Sequence, residues 1–201
     1  MTSFLAIMTP SLAKWILCIG AISWFVIRLP HQRRARKTAI AKSDRTTREK
    51  LLLTCSATGL GLIPLIYIVT GQPRFANYPF QPIIAWLGLL VFACSLWLFY
   101  RVHQELGRNW SDSLEVRQSH TLVTDGLYRY VRHPMYSAFF LWALAQALLL
   151  PNWFAGLAGF VGFGTLFFFR VGQEERLMLE TFGEQYRAYM RRTARIIPLI
   201  Y

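Results

Sequence analysis

The chain has 201 residues, of which 54% are hydrophobic and 15% aromatic, and its formal net charge is +12. This composition indicates an integral membrane protein and leaves no room for a separate soluble domain. Membrane topology and anionic lipid account for the positive charge, so nucleic-acid binding is not needed to explain it.

Five apolar stretches follow one another along the chain. Each approaches the ~20 residues that a helix needs to cross ~30 Å of hydrocarbon. We therefore predict an all-α integral membrane protein with five transmembrane helices, the second of them kinked at Pro64. The predicted spans are Leu12–Leu29, Leu51–Thr70, Ile83–Tyr100, Pro134–Leu150 and Trp153–Phe169.

The charges predict the orientation of these spans. Residues 28–50 contain nine Lys and Arg but only two acidic residues. By the positive-inside rule this first loop is cytoplasmic, which places the N-terminus outside and the C-terminus inside. The three cysteines lie in three different spans, and the four histidines show no i,i+4 pair. Neither a metal site nor a disulfide framework is expected.

A polar segment, residues 120–136, leads into the fourth span. It reads HTLVTDGLYRYVRHPMY, and Pro134 suits the first turn of a helix because its missing N–H costs nothing there. The backbone donors of that turn can then meet a polar ligand that enters from the water side. The alternative is an interfacial belt, since Tyr, Arg and His are common at the lipid boundary.

A second polar motif follows the fifth span. If the helix continues, Arg170 and Glu174 lie on one face, one turn apart. A simple ion pair is the alternative, although Arg before Glu is the weaker order for stabilising a helix. A guanidinium at this boundary suits a carboxylate or a phosphate. Beyond it, Leu179, Phe182, Tyr186 and Tyr189 recur at helical spacing and predict a cytoplasmic amphipathic C-terminal helix, along the membrane or capping the bundle.

Together these motifs resemble the isoprenylcysteine carboxyl methyltransferases and their prokaryotic homologues. The similar part runs from about His103 to Pro198 and carries the segment of residues 120–136, then RVGQEE, then FGEQYRAYMRRTARIIP. The resemblance implies one membrane methyltransferase domain over residues 1–201. Residues 1–102 would hold the first three spans and the basic loop 28–50, and residues 103–201 the catalytic half. It also implies a multi-pass protein of a prokaryotic inner (plasma) membrane.

In that family, S-adenosyl-L-methionine binds in a pocket that is not a Rossmann fold. By motif position, the resemblance implies that Arg170 binds the acceptor and forms the catalytic pair with Glu174. The residues implied for the donor are His120, Thr121, Leu122, Val123, Tyr128, His133, Pro134, Met135, Tyr136 and Glu174.

The implied reaction is O-methylation of a carboxylate on a prenylated or otherwise lipophilic acceptor at the inner membrane face. Membrane lipids are the other expected partners, and no obligate protein partner is indicated. Three alternatives stay open: a methyltransferase for phospholipid or other lipid amines, an NADPH-dependent membrane reductase, and a non-enzymatic scaffold. A fixed cation such as Arg170 argues against a protonated amine acceptor.

Overall fold

The computed structural model describes residues 7–35, 40–43, 46–107, 115–117 and 121–200. Its described part is almost entirely helical, with one short antiparallel pair of strands that was not predicted. The helices are α1 (Pro10–Ala35), α2 (Thr47–Ala57), α3 (Ile63–Thr70), α4 (Pro82–Leu106), α5 (Pro134–Leu149), α6 (Trp153–Phe182) and α7 (Glu184–Arg192). The strands are β1 (Ile40–Ser43) and β2 (Glu115–Arg117).

Four helical segments are long and apolar enough to cross a membrane, namely Pro10–Arg34, Thr47–Thr70, Pro82–Leu106 and Trp153–Phe182. Each contains one predicted span. Large apolar side chains on the outer faces, such as Trp15, Ile22 and Val161, are more than half exposed, as suits a surface covered by lipid. The chain is thus a multi-pass integral membrane protein. The fourth predicted span coincides with α5, whose 16 residues cover only about 24 Å.

The bundle is built around α5, which packs against α4 on one side and α6 on the other. The second segment also packs on α6, and α1 packs on α4. Polar side chains join these helices where hydrocarbon offers no water. Ser95 of α4 donates to the carbonyl oxygen of Ala138 in α5 at 2.7 Å. At the end of the bundle far from the polar motifs, Asn152 caps α6 and donates to Pro73 O and Asn77 Oδ1.

Close to Pro64, where a kink was predicted, a π-helical turn, Thr58–Leu62, joins α2 to α3. In a π turn the carbonyl of Gly59 would accept from residue 64, but Pro64 has no N–H. Gln146 of α5 supplies the missing donor, because its Nε2 bonds to Gly59 O at 3.1 Å. A Cβ at Gly59 would lie 2.2 Å from the carbonyl oxygen of Ala158, so glycine is required where this turn meets α6.

The four apolar and aromatic residues at helical spacing in the C-terminal part are divided between two helices. Helix α6 runs on to Phe182, and Gly183, with φ +55°, ends it. Helix α7 then carries Tyr186 and Tyr189, both almost fully buried. They pack with Val102 at the end of α4. The aromatic face of α7 therefore packs against the bundle, which is one of the two predicted placements. The position of α7 relative to a membrane stays a prediction.

Candidate active site

The polar motifs meet where α5 begins and α6 ends. Tyr136, in the first turn of α5, donates its hydroxyl hydrogen bond to Glu174 Oε2 at 2.6 Å. His133, the residue just before α5, lies with Nδ1 at 3.8 Å from Glu174 Oε1. The side chain of Glu174 is still 32% exposed, whereas that of His133 is buried. Glu174 is thus a held carboxylate with one side open to a ligand.

His133 lies between two carboxylates. Its Nε2 is 3.4 Å from Glu175 Oε1, so each ring nitrogen faces a different glutamate. Burial alone would lower the pKa of His133, but Glu174 and Glu175 outweigh it and raise the pKa above 6.5. The two glutamates therefore stabilise the imidazolium form, in which both ring nitrogens carry a hydrogen. This form suits binding and positioning, not proton abstraction.

Glu175 connects the site to the tail of the chain. Its Oε1 accepts from Arg132 Nε at 3.0 Å, and its Oε2 accepts from Arg195 NH2 at 2.8 Å. With His133, three cationic groups surround one carboxylate whose side chain is 6% exposed. A buried carboxylate is stable only with such partners. Glu175 is a positioning residue, because it fixes His133 and the segment around Arg195 relative to α6.

The residues after α7 form a strap beside the histidine. Val131 and Ala194 form a parallel bridge, and His133 N donates to the carbonyl oxygen of Arg195 at 2.9 Å. One turn into α5, Ser137 Oγ donates to Ile196 O at 2.6 Å. The strap therefore fixes the backbone at the start of α5, where residues 132–136, RHPMY, lead into the helix.

An apolar cluster adjoins the polar centre. Tyr128, buried on the 3₁₀ turn Gly126–Arg129, packs with Leu122, Val123 and Met135. Burial raises the pKa of Tyr128 well above 10, with Glu174 adding to the rise, so its phenol stays neutral. Tyr189 of α7 donates to the carbonyl oxygen of Tyr128 at 2.6 Å and holds this turn. The cluster offers an apolar wall with a neutral hydroxyl.

Glu105, at the end of α4, secures the same turn from the other side. Its carboxylate accepts from Leu127 N at 2.8 Å and from Arg101 at 3.2 Å. Gly126 has φ +60°, and a Cβ there would lie 2.6 Å from the Glu105 carboxyl group. Glycine suits this backbone conformation, and a larger residue at position 126 would also displace the Glu105 carboxylate.

Arg170 lies four residues before Glu174 on α6 and has an ion-pair partner on α2. Its NH2 is 3.6 Å from Oε1 of Glu49, in the first turn of α2. Both side chains are largely buried, with Arg170 11% and Glu49 5% exposed. The cation of Arg170 therefore joins α6 to α2.

The structure thus gathers most of the predicted site residues into adjoining groups. The polar group holds His133, Tyr136 and Glu174, and the apolar group holds Leu122, Val123, Tyr128 and Met135. Pro134 is fully buried between His133 and Met135, and Thr121 is exposed beside the apolar group. Arg170 lies one helical turn before Glu174 and contacts Glu49 of α2. His120 lies outside the described residues.

Sequence reasoning missed Glu49, Glu105, Arg132, Glu175 and Arg195 as functional residues. Glu175 had a signal, because it adjoins Glu174 in the RVGQEE motif. Glu49 had only a weak sequence signal, the capping pattern Thr46-x-x-Glu49. In the structure, Thr46 Oγ1 accepts a hydrogen bond from Glu49 N at 3.2 Å. That pattern marks the start of a helix and says nothing about Arg170.

Residues 86–180, which include α5 and nearly all of α6, match the model of the isoprenylcysteine carboxyl methyltransferase family. Over these 95 of its 201 residues the chain is similar to that family. The matched segment contains Tyr128, His133, Tyr136, Arg170 and Glu174.

Curated relatives agree with this family. The chain is 41% identical over 83 residues to the protein-S-isoprenylcysteine O-methyltransferase of Schizosaccharomyces pombe, covering 41% of the chain and 35% of that protein. It is 31% identical over 122 residues to the human protein of the same name, and the match covers 58% of this chain and 43% of the human protein. The B form of Arabidopsis thaliana is 32% identical over 96 residues, covering 47% and 49%. The chain thus spans half or less of the length of these relatives.

A solved structure shares the fold over nearly the whole chain. It is the structure of the eukaryotic intramembrane Ras methyltransferase ICMT (isoprenylcysteine carboxyl methyltransferase), determined without a monobody. The TM-score is 0.59 at 19% identity, and the match covers 96% of this chain and 68% of that one. The shared fold therefore extends through α1 to α3, beyond the segment that carries the sequence motifs.

Proposed function

We propose that this protein is an S-adenosyl-L-methionine-dependent methyltransferase that esterifies the carboxylate of a prenylated or otherwise lipophilic acceptor. The observation that carries the proposal is the Tyr136–Glu174–His133 arrangement, built from the family's own motifs. Relatives named protein-S-isoprenylcysteine O-methyltransferase support the reaction class.

The residues present fit this donor. A cationic ligand is complemented by the open carboxylate of Glu174, and an adenine suits the wall of Leu122, Val123, Tyr128 and Met135. When bound, S-adenosyl-L-methionine supplies a methyl group activated on a sulfonium centre. Tyr136 and His133 hold Glu174 in place, so that the carboxylate does not have to reorganise when the ligand arrives.

Arg170 is the proposed partner of the acceptor carboxylate. It lies seventeen positions after Trp153 on α6, about 26 Å along the helix, so it reaches the edge of the hydrocarbon. A carboxylate is already ionised at neutral pH, and no general base is required. Catalysis then depends on orientation and on exclusion of water from the nucleophile.

A lipophilic chain has a matching surface on the same helices. An apolar groove of about 430 Å³ runs between α2–α3 and α6, lined among others by Cys55, Thr58, Leu157 and Val161. Gly162 in its lining lies eight residues before Arg170, about 12 Å along α6. An acceptor with its chain in this groove would place its carboxylate near Arg170.

We further propose five membrane crossings, with α5 as the fourth, the N-terminus outside and the catalytic half at the cytoplasmic face of a prokaryotic inner membrane. The basic loop of residues 28–50 supports this orientation. Donor would then arrive from the cytosol and acceptor from the bilayer.

A calorimetric titration of the detergent-purified protein tests the class of ligand. S-Adenosylhomocysteine should bind and NADPH should not. Binding of NADPH alone would favour the reductase, and binding of neither would favour a scaffold.

A further inference from the structure

Residues 197–200, which follow the strap, form a tail whose large apolar side chains are exposed. The exposed fractions are 48% for Ile197, 101% for Leu199 and 79% for Ile200. They resemble the value for a side chain on the outer face of a spanning helix, such as 62% for Ile22 of α1. A group of exposed apolar side chains marks a surface that lipid or a partner covers.

The position of the tail relative to the bundle is fixed by Ile196, the residue just before it. Its carbonyl oxygen accepts from Ser137 Oγ at 2.6 Å, one turn into α5. Its side chain packs against an apolar cluster of Tyr136, Phe163, Leu166, Phe167 and Val171. Phe167 lies fourteen positions after Trp153, about 21 Å along α6, within the ~30 Å that hydrocarbon covers. The tail therefore starts where α6 is still at the depth of the hydrocarbon or at its edge.

The backbone of the tail suits surroundings with little water. Pro198 has no N–H, and Ile200 N donates to the carbonyl oxygen of Ile197 at 3.2 Å. Two of the four residues of the tail therefore need no donor partner from water. This lowers the cost of insertion, because an unsatisfied backbone donor is expensive in lipid.

Charge favours lipid headgroups over a second copy of this chain as the neighbours of the tail. Residues 185–200 contain four arginines and no acidic residue, and Arg191 and Arg192 in the last turn of α7 are exposed. Basic residues beside an apolar segment attract anionic lipid. A second copy, with 22 basic and ten acidic residues, would offer mainly like charge.

We infer that the tail is a lipid anchor: Leu199 and Ile200 insert into the bilayer on the side where α5 begins, and the arginines of α7 lie among anionic headgroups. The anchor goes beyond the proposed methylation and does not depend on it. Because the strap before it bonds to His133 N and to Ser137, the anchor also holds the start of α5 at the membrane surface.

The test locates the tail in vesicles of phosphatidylcholine and phosphatidylglycerol. A nitroxide label is attached to single cysteines of the full chain after the three native cysteines have been replaced. Oxygen concentrates in lipid and a water-soluble nickel complex in water, so the ratio of their collision rates with the label reports its surroundings. The labelled variants are Leu199→Cys, Ile22→Cys as the control in lipid, and Glu184→Cys, at an exposed position of α7, as the control in water.

The oxygen-to-nickel ratio at Leu199→Cys should be severalfold higher than at Glu184→Cys and should approach that at Ile22→Cys. A ratio equal to that of Glu184→Cys would overturn the inference, because the tail would then lie in water. Low collision rates with both reagents would also overturn it, because the tail would then be covered by protein, such as a second copy of this chain.

A substitution next to the label separates insertion driven by the apolar side chains from mere closeness to the membrane. Ile200→Asp introduces a charge, which is costly in lipid, so the ratio at Leu199→Cys should fall severalfold towards the value in water. Ile200→Leu is the matched control and should leave the ratio unchanged. Ile200 is exposed, so neither variant disturbs the packing of the bundle. An unchanged ratio in Ile200→Asp would overturn the inference, because contacts with protein would then hold the tail in place.

Discussion

The hydroxyl of Tyr136 donates a hydrogen bond of 2.6 Å to Oε2 of Glu174, which lies 38 residues later in the chain. This bond ties the first turn of α5 to the last turns of α6. The bond involves Oε2 of Glu174, whereas Oε1 lies 3.8 Å from His133 Nδ1, and the side chain as a whole is 32% exposed. The pair therefore connects the two sequence motifs through a single carboxylate.

Replacement of Glu174 should weaken donor binding. Loss of a carboxylate that partners a cation in a partly dry site costs ~1.5–3 kcal/mol, or about ten- to a hundredfold in affinity. Titration of Glu174→Gln with S-adenosylhomocysteine measures this. Tyr136→Phe is the matched variant, because it removes the hydrogen bond and keeps the charge, and it should lose less. Equal losses would mean that the hydrogen bond, and not the charge, is what the donor needs.

Replacement of Arg170 should damage acceptor use and spare the donor. In Arg170→Gln the acceptor KM should rise at least tenfold, because a charged hydrogen-bond partner is lost. Affinity for S-adenosylhomocysteine should stay near the wild-type value. Arg176→Gln, an exposed arginine further along α6, is the control and should change neither quantity. If donor affinity fell as much in Arg170→Gln as in Glu174→Gln, separate roles for the two residues would be ruled out.

His133 should affect stability with a defined pH dependence. The pKa of His133 in the folded state lies above 6.5, so the folded protein binds a proton at this residue more tightly than the unfolded chain does. The stabilisation is complete below about pH 6.5 and is lost as the pH rises through the folded-state pKa. The thermal midpoint of the wild type should therefore fall with rising pH more steeply than that of His133→Gln. Parallel curves would show that the pair of glutamates does not hold a proton on His133.

The same residue should not act as a general base. His133→Ala should greatly reduce methyl transfer, since a misplacement of ~1 Å costs about a hundredfold. The wild-type rate should not rise with pH between about 6.5 and 8.5, because an acceptor carboxylate needs no deprotonation. A rise near pH 6.5 that disappears in the variant would identify a general base and favour an amine, thiol or hydroxyl acceptor.

Glu175 should matter for stability more than any exposed carboxylate. Its removal leaves Arg132, itself 9% exposed, with an uncompensated charge, a loss of about 3–5 kcal/mol for a buried pair. The thermal midpoint of Glu175→Gln in detergent should fall clearly. Glu184→Gln removes the exposed pair with Arg187 and should scarcely change it. Similar midpoints in both variants would show that Glu175 is not the anchor of the strap.

Much of the fold was predictable because apolar length is a strong signal in a membrane protein. Each predicted span lies within or nearly coincides with a helical segment, and the helices mostly extend beyond them. Helix α6 continues thirteen residues past Phe169, since polar residues continue a helix once it has left the hydrocarbon. The break at Gly183 had a local signal, a glycine after an apolar run, but the tyrosines beyond it kept the same spacing and obscured it.

The site was less predictable from the residues themselves. His133, Tyr136 and Glu174 came together through the family resemblance, and the structure places them in contact. The partners Glu49 and Glu175 depend on contacts between distant segments, which leave no period in the sequence. Glu49 in particular appeared as one of two acids in a basic loop, and only packing of α2 on α6 brings it to Arg170.

Formation of a methyl ester tests the central claim most directly. The purified protein is incubated with S-adenosyl-L-methionine carrying a labelled methyl group and with N-acetyl-S-farnesylcysteine, and the product is identified by mass spectrometry. We expect the label in an ester that releases methanol on treatment with base, and we expect it to be strongly reduced in Glu174→Gln. Label transferred to a lipid amine and not to the acid, under the same conditions, would contradict carboxyl methylation as the function of this protein.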